Sequence, residues 1–292
     1  MQLIAASCLC DSLKMKLMWN LLEKVSSTGF PPKEDVLGCE GSLAWVIDGA
    51  TSVSSERCTN HESDGLWLVK VVEEVFRGEA DTSASPTELI RRAILEAQSR
   101  AKSEWAVDPK VPPSAAVGVV RAVGGQLHYA VLADVSIVCG MSEGVRELTD
   151  HRPDDLNVEA KHHLESLLGS GEDFASAIES TRLLLLEHRR LRMNKSGGYW
   201  VVALEVTAAD HALTGVIDSE HPFIIASDGF TRGRHLFGLW TDWNAALGGV
   251  TSLRELADEV RAAELADPQC TRYPRWSVHD DIVAARLHWS NK

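Results

Sequence analysis

What this chain lacks narrows it quickly. No apolar run approaches the ~18 residues that a membrane-crossing helix needs. Met1 to Cys10 is apolar but has no basic stretch ahead of it and meets Asp11 at once. Neither a signal peptide nor a lipid anchor is expected, and the cytoplasm is the default compartment. Positive charge is short, with 29 Lys and Arg against 42 Asp and Glu and a net charge of −13. Such a balance argues against a nucleic-acid partner, which needs clustered cations to displace counterions. The six cysteines (Cys8, Cys10, Cys39, Cys58, Cys139 and Cys270) follow no disulfide framework, and Cys8-Leu9-Cys10 has no second pair to make a zinc knuckle. Reduced thiols are the expectation.

Several catalytic signatures are also missing. Cys139 and Arg146 are one residue too far apart for a Cys-x₅-Arg phosphate loop. No Gly-x-x-x-x-Gly-Lys segment is present, and Gly124-Gly125 and Gly197-Gly198 read as turns. His61-Glu62 is followed by no second His of a zincin, and His162-His163 would point apart on a helix. Ser227 sits in no Gly-x-Ser-x-Gly elbow and reads as a turn residue. There is no internal repeat, low-complexity tract or linker, so residues 1–292 are expected to form one domain, with 45% hydrophobic and 24% charged residues.

What is present centres on three acidic stretches. Trp45-Val46-Ile47-Asp48-Gly49 and Phe223-Ile224-Ile225-Ala226-Ser227-Asp228-Gly229 are short apolar runs ended by Asp-Gly, the pattern of a buried strand running into a turn. In Asp280-Asp281-Ile282-Val283-Ala284 the acids come first. The start of one antiparallel strand lies beside the ends of its neighbours, so these acids are expected to meet at one sheet edge. Crowded carboxylates repel unless a cation holds them, which makes the cluster a candidate metal site. Oxygen ligands favour Mg²⁺ or Mn²⁺, and no EF-hand spacing points to calcium. Glycine after Asp48 lets the backbone come close, so the Gly49 carbonyl is a candidate ligand.

Along the chain, Leu13 to Trp19 alternates like a strand and 20–25 fits either type. Gly29-Phe30-Pro31-Pro32 is a loop leading to Lys33-Glu34-Asp35. Asp64 is placed to cap a helix with Leu66, Val69, Val72, Val75 and Phe76 on its apolar face, ended by Gly78. Ser85-Pro86-Thr87-Glu88 starts a second helix. A hairpin follows over 115–123 and 126–132, with a strand at 135–139 and Asp134 at their junction. Helices are expected over 158–168, 173–192, 231–247 and 253–265, the last capped by Ser252. Strands are expected over 199–206, 213–217 and 223–226. Arg189, Arg190, Arg192 and Lys195 gather at a helix C-terminus, where positive charge suits the dipole. The reading is α+β with mainly antiparallel sheet.

In order, Glu34-Asp35, Val46-Ile47-Asp48-Gly49, Ala133-Asp134, Leu148-Thr149-Asp150-His151, Ala226-Ser227-Asp228-Gly229 and Asp280-Asp281 resemble the blocks of the metal-dependent PPM phosphatases, the type 2C protein serine/threonine phosphatases. The resemblance runs from about residue 25 to 289, leaving 1–24 as an extension or first strand. It implies a four-layer αββα sandwich of two antiparallel sheets with helices outside and two Mn²⁺ or Mg²⁺ ions at one end. By position, Asp48 would bridge both ions, Asp228 and Asp280 would hold the first, and Glu34 and Gly49 the second. Asp281 competes with Asp280, and Asp134 stands where some members hold a third, weaker ion. The implied function is a phosphomonoesterase acting on phosphoserine and phosphothreonine in proteins through a metal-bridging hydroxide. Asp48, Asp228 and Asp280 would be its catalytic residues, and a cytoplasmic monomer with phosphoprotein partners and no membrane association is expected. A small phosphorylated metabolite is a rival substrate, and a pseudophosphatase binding module is the alternative function. The chain departs from the family at Asp48-Gly49-Ala50-Thr51, which lacks the family's His, and ahead of Glu34, where Lys33 is the nearest cation and the phosphate-gripping Arg is absent. It departs again at Ala133-Asp134-Val135, which replaces Gly-Asp-Ser.

Overall fold

A computed structural model describes residues 17–29, 31–52, 57–141, 143–153, 157–218 and 220–291. The N-terminal Cys8, Cys10 and the first residues of the expected 13–19 strand lie outside these, as does Phe30. Among the described residues, ten strands form two five-stranded sheets. One has the order β1 (Leu17–Ser27), β10 (Ile282–Asn291), β9 (Phe223–Ala226), β6 (Ser136–Met141) and β7 (Gly144–Leu148). The other runs β2 (Asp35–Glu40), β3 (Leu43–Gly49), β4 (Ala115–Val123), β5 (Gln126–Leu132) and β8 (Leu213–Ile217). Every pairing is antiparallel.

Strand alternation builds the layers. From β3, Leu43, Trp45 and Ile47 pack against the helices α1 (Asp64–Gly78) and α2 (Pro86–Glu104). Ala44 and Val46 point the other way, to Ile225, Val283 and Ala285 of the facing sheet. Behind that sheet, Ile224, Ala226 and Ala284 meet Phe230 and Val260, carried by helices 228–235 and 253–266. The result is helix, sheet, sheet, helix. With both faces of each sheet covered, the strands read as continuous apolar runs. Two further helices, α3 (Val158–Gly169) and α4 (Phe174–Arg192), pack on one another through Leu164, Leu168 and Ala177. In chain order the remaining helices are α5 (Asp228–His235), α6 (Asn244–Leu247) and α7 (Leu253–Ala266), and α7 carries the Ser252–Glu255 capping box. No described helix is long and apolar enough to cross a membrane.

Local expectations meet the structure with several differences, among them β7, which the sequence does not announce. Ser63, whose hydroxyl accepts from the Leu66 amide at 3.0 Å, caps α1, while Asp64 turns back to the Cys58 and Thr59 amides. Residues 199–206 form no strand, only the bridges Met193↔Tyr199 and Ala115↔Val202. The helix expected over 231–247 stops at His235 and resumes only at Asn244, with Gly238 left-handed (φ +64°) between. β2 has no counterpart in the sequence reading.

Candidate metal centre

The acids do not share one sheet edge; they come from both sheets at one end of the sandwich. Asp48 closes β3, directly opposite Asp35 on β2. Asp228 follows β9 and Asp280 precedes β10 in the facing sheet, where Ala226 pairs with Ala284. The gap between the sheets is bridged by the Asp228 amide, which donates to Asp48 Oδ2 over 3.4 Å. Ser227 ties β9 to β10, its hydroxyl accepting from the Val283 amide at 3.2 Å. Gly229 permits the approach: a Cβ there would stand 1.9 Å from the Asp281 carbonyl oxygen. Gly49 is also closely packed, a Cβ there meeting Val69 at 2.7 Å and Glu34 at 3.0 Å.

Asp48, Asp134, Asp228 and Asp280 line one cavity of about 330 Å³, together with Thr51, Tyr199, Trp276 and Arg189. A second cavity of about 310 Å³ shares Asp134, Asp228 and Trp276 and adds His151, His235 and Lys161. The loop that delivers Trp276, Ser277 and Asp280 is held by Asp267, which accepts from the Tyr273 amide at 3.0 Å and from Arg275 at 2.8 Å.

Charge is concentrated here. Burial pushes the Asp48 carboxyl well above the usual carboxylate range, and Asp35, Asp228, Asp134 and Asp280 push it the same way. Asp35 is raised likewise, by burial first and then by Asp280, with the Ser227 hydroxyl opposing. Asp35 Oδ2 is buried with no hydrogen-bond partner among the described residues. An orphaned buried carboxylate oxygen beside a second carboxylate is costly unless a cation compensates it.

Not every candidate residue reaches the cavity. Glu34 turns to the start of α1, where its carboxylate accepts from the Ser63 and Thr51 hydroxyls. Asp281 spends Oδ1 on the Gly29 amide (2.9 Å) and Oδ2 on the amides of Glu34 (2.6 Å) and Asp35 (3.3 Å), so it staples the loop ahead of β2 to β10. Lys33 bonds Ser26. Of the basic group at the end of α4, Arg190 pairs with Glu187 and Lys195 caps the Arg190 carbonyl, whereas Arg189 donates to the Thr51 carbonyl at 2.9 Å on the cavity wall.

Asp35 is not among the ligands expected from the sequence, which takes Glu34 from the Glu34-Asp35 pair; the signal is its place opposite Asp48 once β2 is recognised. The donor chemistry, oxygen only and strongly anionic, fits a hard divalent cation. No three His, Cys, Asp or Glu side chains among the described residues are already gathered at coordinating positions. A cation would therefore have to draw them in. The thiols are poor rivals as nucleophiles, since burial pushes Cys58 up to about 12 and Cys139 and Cys270 up to about 11.

No protein-family model and no curated protein matches the chain. Solved structures do match. The serine/threonine phosphatase PstP/Ppp of Mycobacterium tuberculosis superposes with a TM-score of 0.53 at 12% identity, covering 93% of this chain and 98% of that one. Stp1 of Staphylococcus aureus gives 0.53 at 12%, covering 95% and 98%. The PstP catalytic domain in complex with two manganese ions gives 0.54 at 12%, covering 94% and 100%. These neighbours are PPM-type bacterial serine/threonine phosphatases, and the fold they share with this chain is the αββα sandwich.

Proposed function

We propose that the protein is a metal-dependent phosphomonoesterase acting on phosphoserine and phosphothreonine in proteins. The observation that carries the reading is the convergence of Asp48, Asp134, Asp228 and Asp280 from two facing sheets on one open cavity, with Asp35 buried directly opposite Asp48 and charge that calls for a cation. The manganese ions of the PstP domain, on the same fold, support Mn²⁺ or Mg²⁺ as that cation. Asp48, Asp35 and Asp228 would hold it, with Asp134 beside them. When bound, a divalent ion supplies acidified water and neutralises charge on a phosphoryl oxygen.

The chain's own residues do the rest. Arg189 stands on the cavity wall, its guanidinium opposite Asp134 and Glu34, where it can meet an incoming phosphate dianion. It takes the role that Lys33, bonded to Ser26, leaves unfilled. Trp276, 37% exposed at the junction of the two cavities, offers an apolar wall to the residue that carries the phosphate. The second cavity, lined by Lys161, His151 and His235, accommodates the flanking peptide. A non-catalytic binding module is the second reading, favoured by the absence of a His after Asp48-Gly49. Hydrolysis of p-nitrophenyl phosphate with Mn²⁺, abolished by chelation and by Asp48→Asn, separates the two. Manganese-loaded protein that turns over neither this ester nor any phosphopeptide decides for the binding module. Turnover of phosphorylated metabolites without phosphopeptides transfers the activity to small molecules.

A further inference from the structure

The acidic end of the sandwich has a cation of its own, on the wall of the second cavity. Arg232, one turn into α5 from Asp228, has a side chain only 11% exposed. Its guanidinium pairs with Asp280 and reaches the fully buried Glu264 at 3.2 Å. It also faces Asp228, and these three acids hold its charge against the burial that opposes it. Asp280 is then supplied on both oxygens: Oδ2 by Arg232 and, at 3.3 Å, by the Ser277 hydroxyl, and Oδ1 by the Asp281 amide at 3.0 Å. Across the cavity Asp35 keeps an orphaned buried oxygen, and Asp48 accepts a long bond of 3.4 Å from the Asp228 amide. The carboxylate oxygens left without good partners therefore lie on the β2–β3 side and not on the β10 side.

We propose that Arg232 is a built-in counter-cation that takes the place of one divalent ion, so that this acidic end of the sandwich binds a single divalent cation, on the Asp35–Asp48 side. The proposal rests on the metal-centre reading above and specifies its stoichiometry. A guanidinium stays protonated at any working pH. A divalent ion entering beside Asp280 must break the Arg232 pair and stand against a like charge in a poorly solvated site. The arginine is anchored from behind through Glu264, which Arg261 (2.6 Å) and His279 (3.0 Å) also hold. Removing Arg232 thus leaves Glu264 compensated while vacating the Asp280 side.

Equilibrium dialysis against Mn²⁺, with ions per chain counted by atomic absorption, tests this without substrate or turnover. The expected counts are one for the wild-type protein, one for Arg232→Lys, which keeps the charge, and two for Arg232→Gln. The second site of Arg232→Gln should fill at a Mn²⁺ concentration at least tenfold below any second site of the wild type. Thermal melts establish that each variant is folded, and should Arg232→Gln fail to fold, the wild-type and Arg232→Lys counts decide. Two tight ions in the wild type, or one in folded Arg232→Gln, overturn the role of Arg232 and leave the metal centre standing. No ion in the wild type overturns both.

Discussion

At Asp48 burial and four neighbouring carboxylates act in the same direction. Such a residue is a liability in the metal-free chain and an asset once a cation is present. Asp48→Asn should therefore raise the melting temperature of the metal-free protein at pH 8 and abolish the shift that Mn²⁺ gives the wild type, which scanning calorimetry measures directly. The wild-type shift should correspond to about 2.7 kcal/mol when Mn²⁺ is at a hundredfold excess over its dissociation constant. Asp35→Asn, which leaves Asp48 in place, should weaken Mn²⁺ by about 10–100-fold in a calorimetric titration. Gly229 tests the geometry that brings the two sheets together. A methyl group there meets the Asp281 carbonyl oxygen at 1.9 Å, and that oxygen belongs to rigid backbone. Gly229→Ala should lower stability in urea unfolding by about 1–3 kcal/mol and weaken Mn²⁺ binding with it.

The elements differ in how far the sequence announces them. β3 and β9 are legible because both faces of each are buried, so a continuous apolar run ends sharply at Asp48 or Asp228. The Gly124-Gly125 hairpin and the caps at Ser85 and Ser252 are legible because local chemistry suffices to specify them. β2 is not legible: Gly38 interrupts its pattern, and the reason for Gly38 is the Trp45 ring across the ladder, 2.3 Å from where a Cβ would be. Missing β2 is what hid Asp35, since only the β2–β3 register places it beside Asp48. The 199–206 segment has strand composition, but the fold pairs it only through single bridges at Tyr199 and Val202, a tertiary fact beyond any local pattern. Arg189 likewise reads as a dipole complement at the end of α4 until the fold brings the Thr51 carbonyl to it. If α4 presents Arg189 to the phosphate, Arg189→Ala should lower kcat/KM by about 10–100-fold, mostly through KM, the loss of one charge-assisted bond. Steady-state kinetics on a phosphopeptide measures this, with Mn²⁺ affinity unchanged.

For the whole molecule, the acidic end makes stability depend on pH in a defined sense. Folded Asp48 and Asp35 keep protons that the unfolded chain releases above about pH 4, so their contribution is present below that pH and is lost as pH rises through the folded values. Asp64 shifts the other way, because amides of Cys58 and Thr59 outweigh its burial, and Asp267 does so because Arg275 and backbone amides outweigh its own. Their contribution is complete by about pH 5. The metal-free protein should thus melt progressively lower from pH 5 to pH 8, and saturating Mn²⁺ should flatten or reverse the slope. The same end of the sandwich carries the functional claim, since the αββα frame by itself specifies no chemistry. The most direct test is the anomalous difference density of a crystal soaked in Mn²⁺. The account predicts a peak within about 2.2 Å of an Asp48 carboxylate oxygen, between β3 and the start of α5. Well-ordered carboxylates with no peak at that end of the molecule would contradict it.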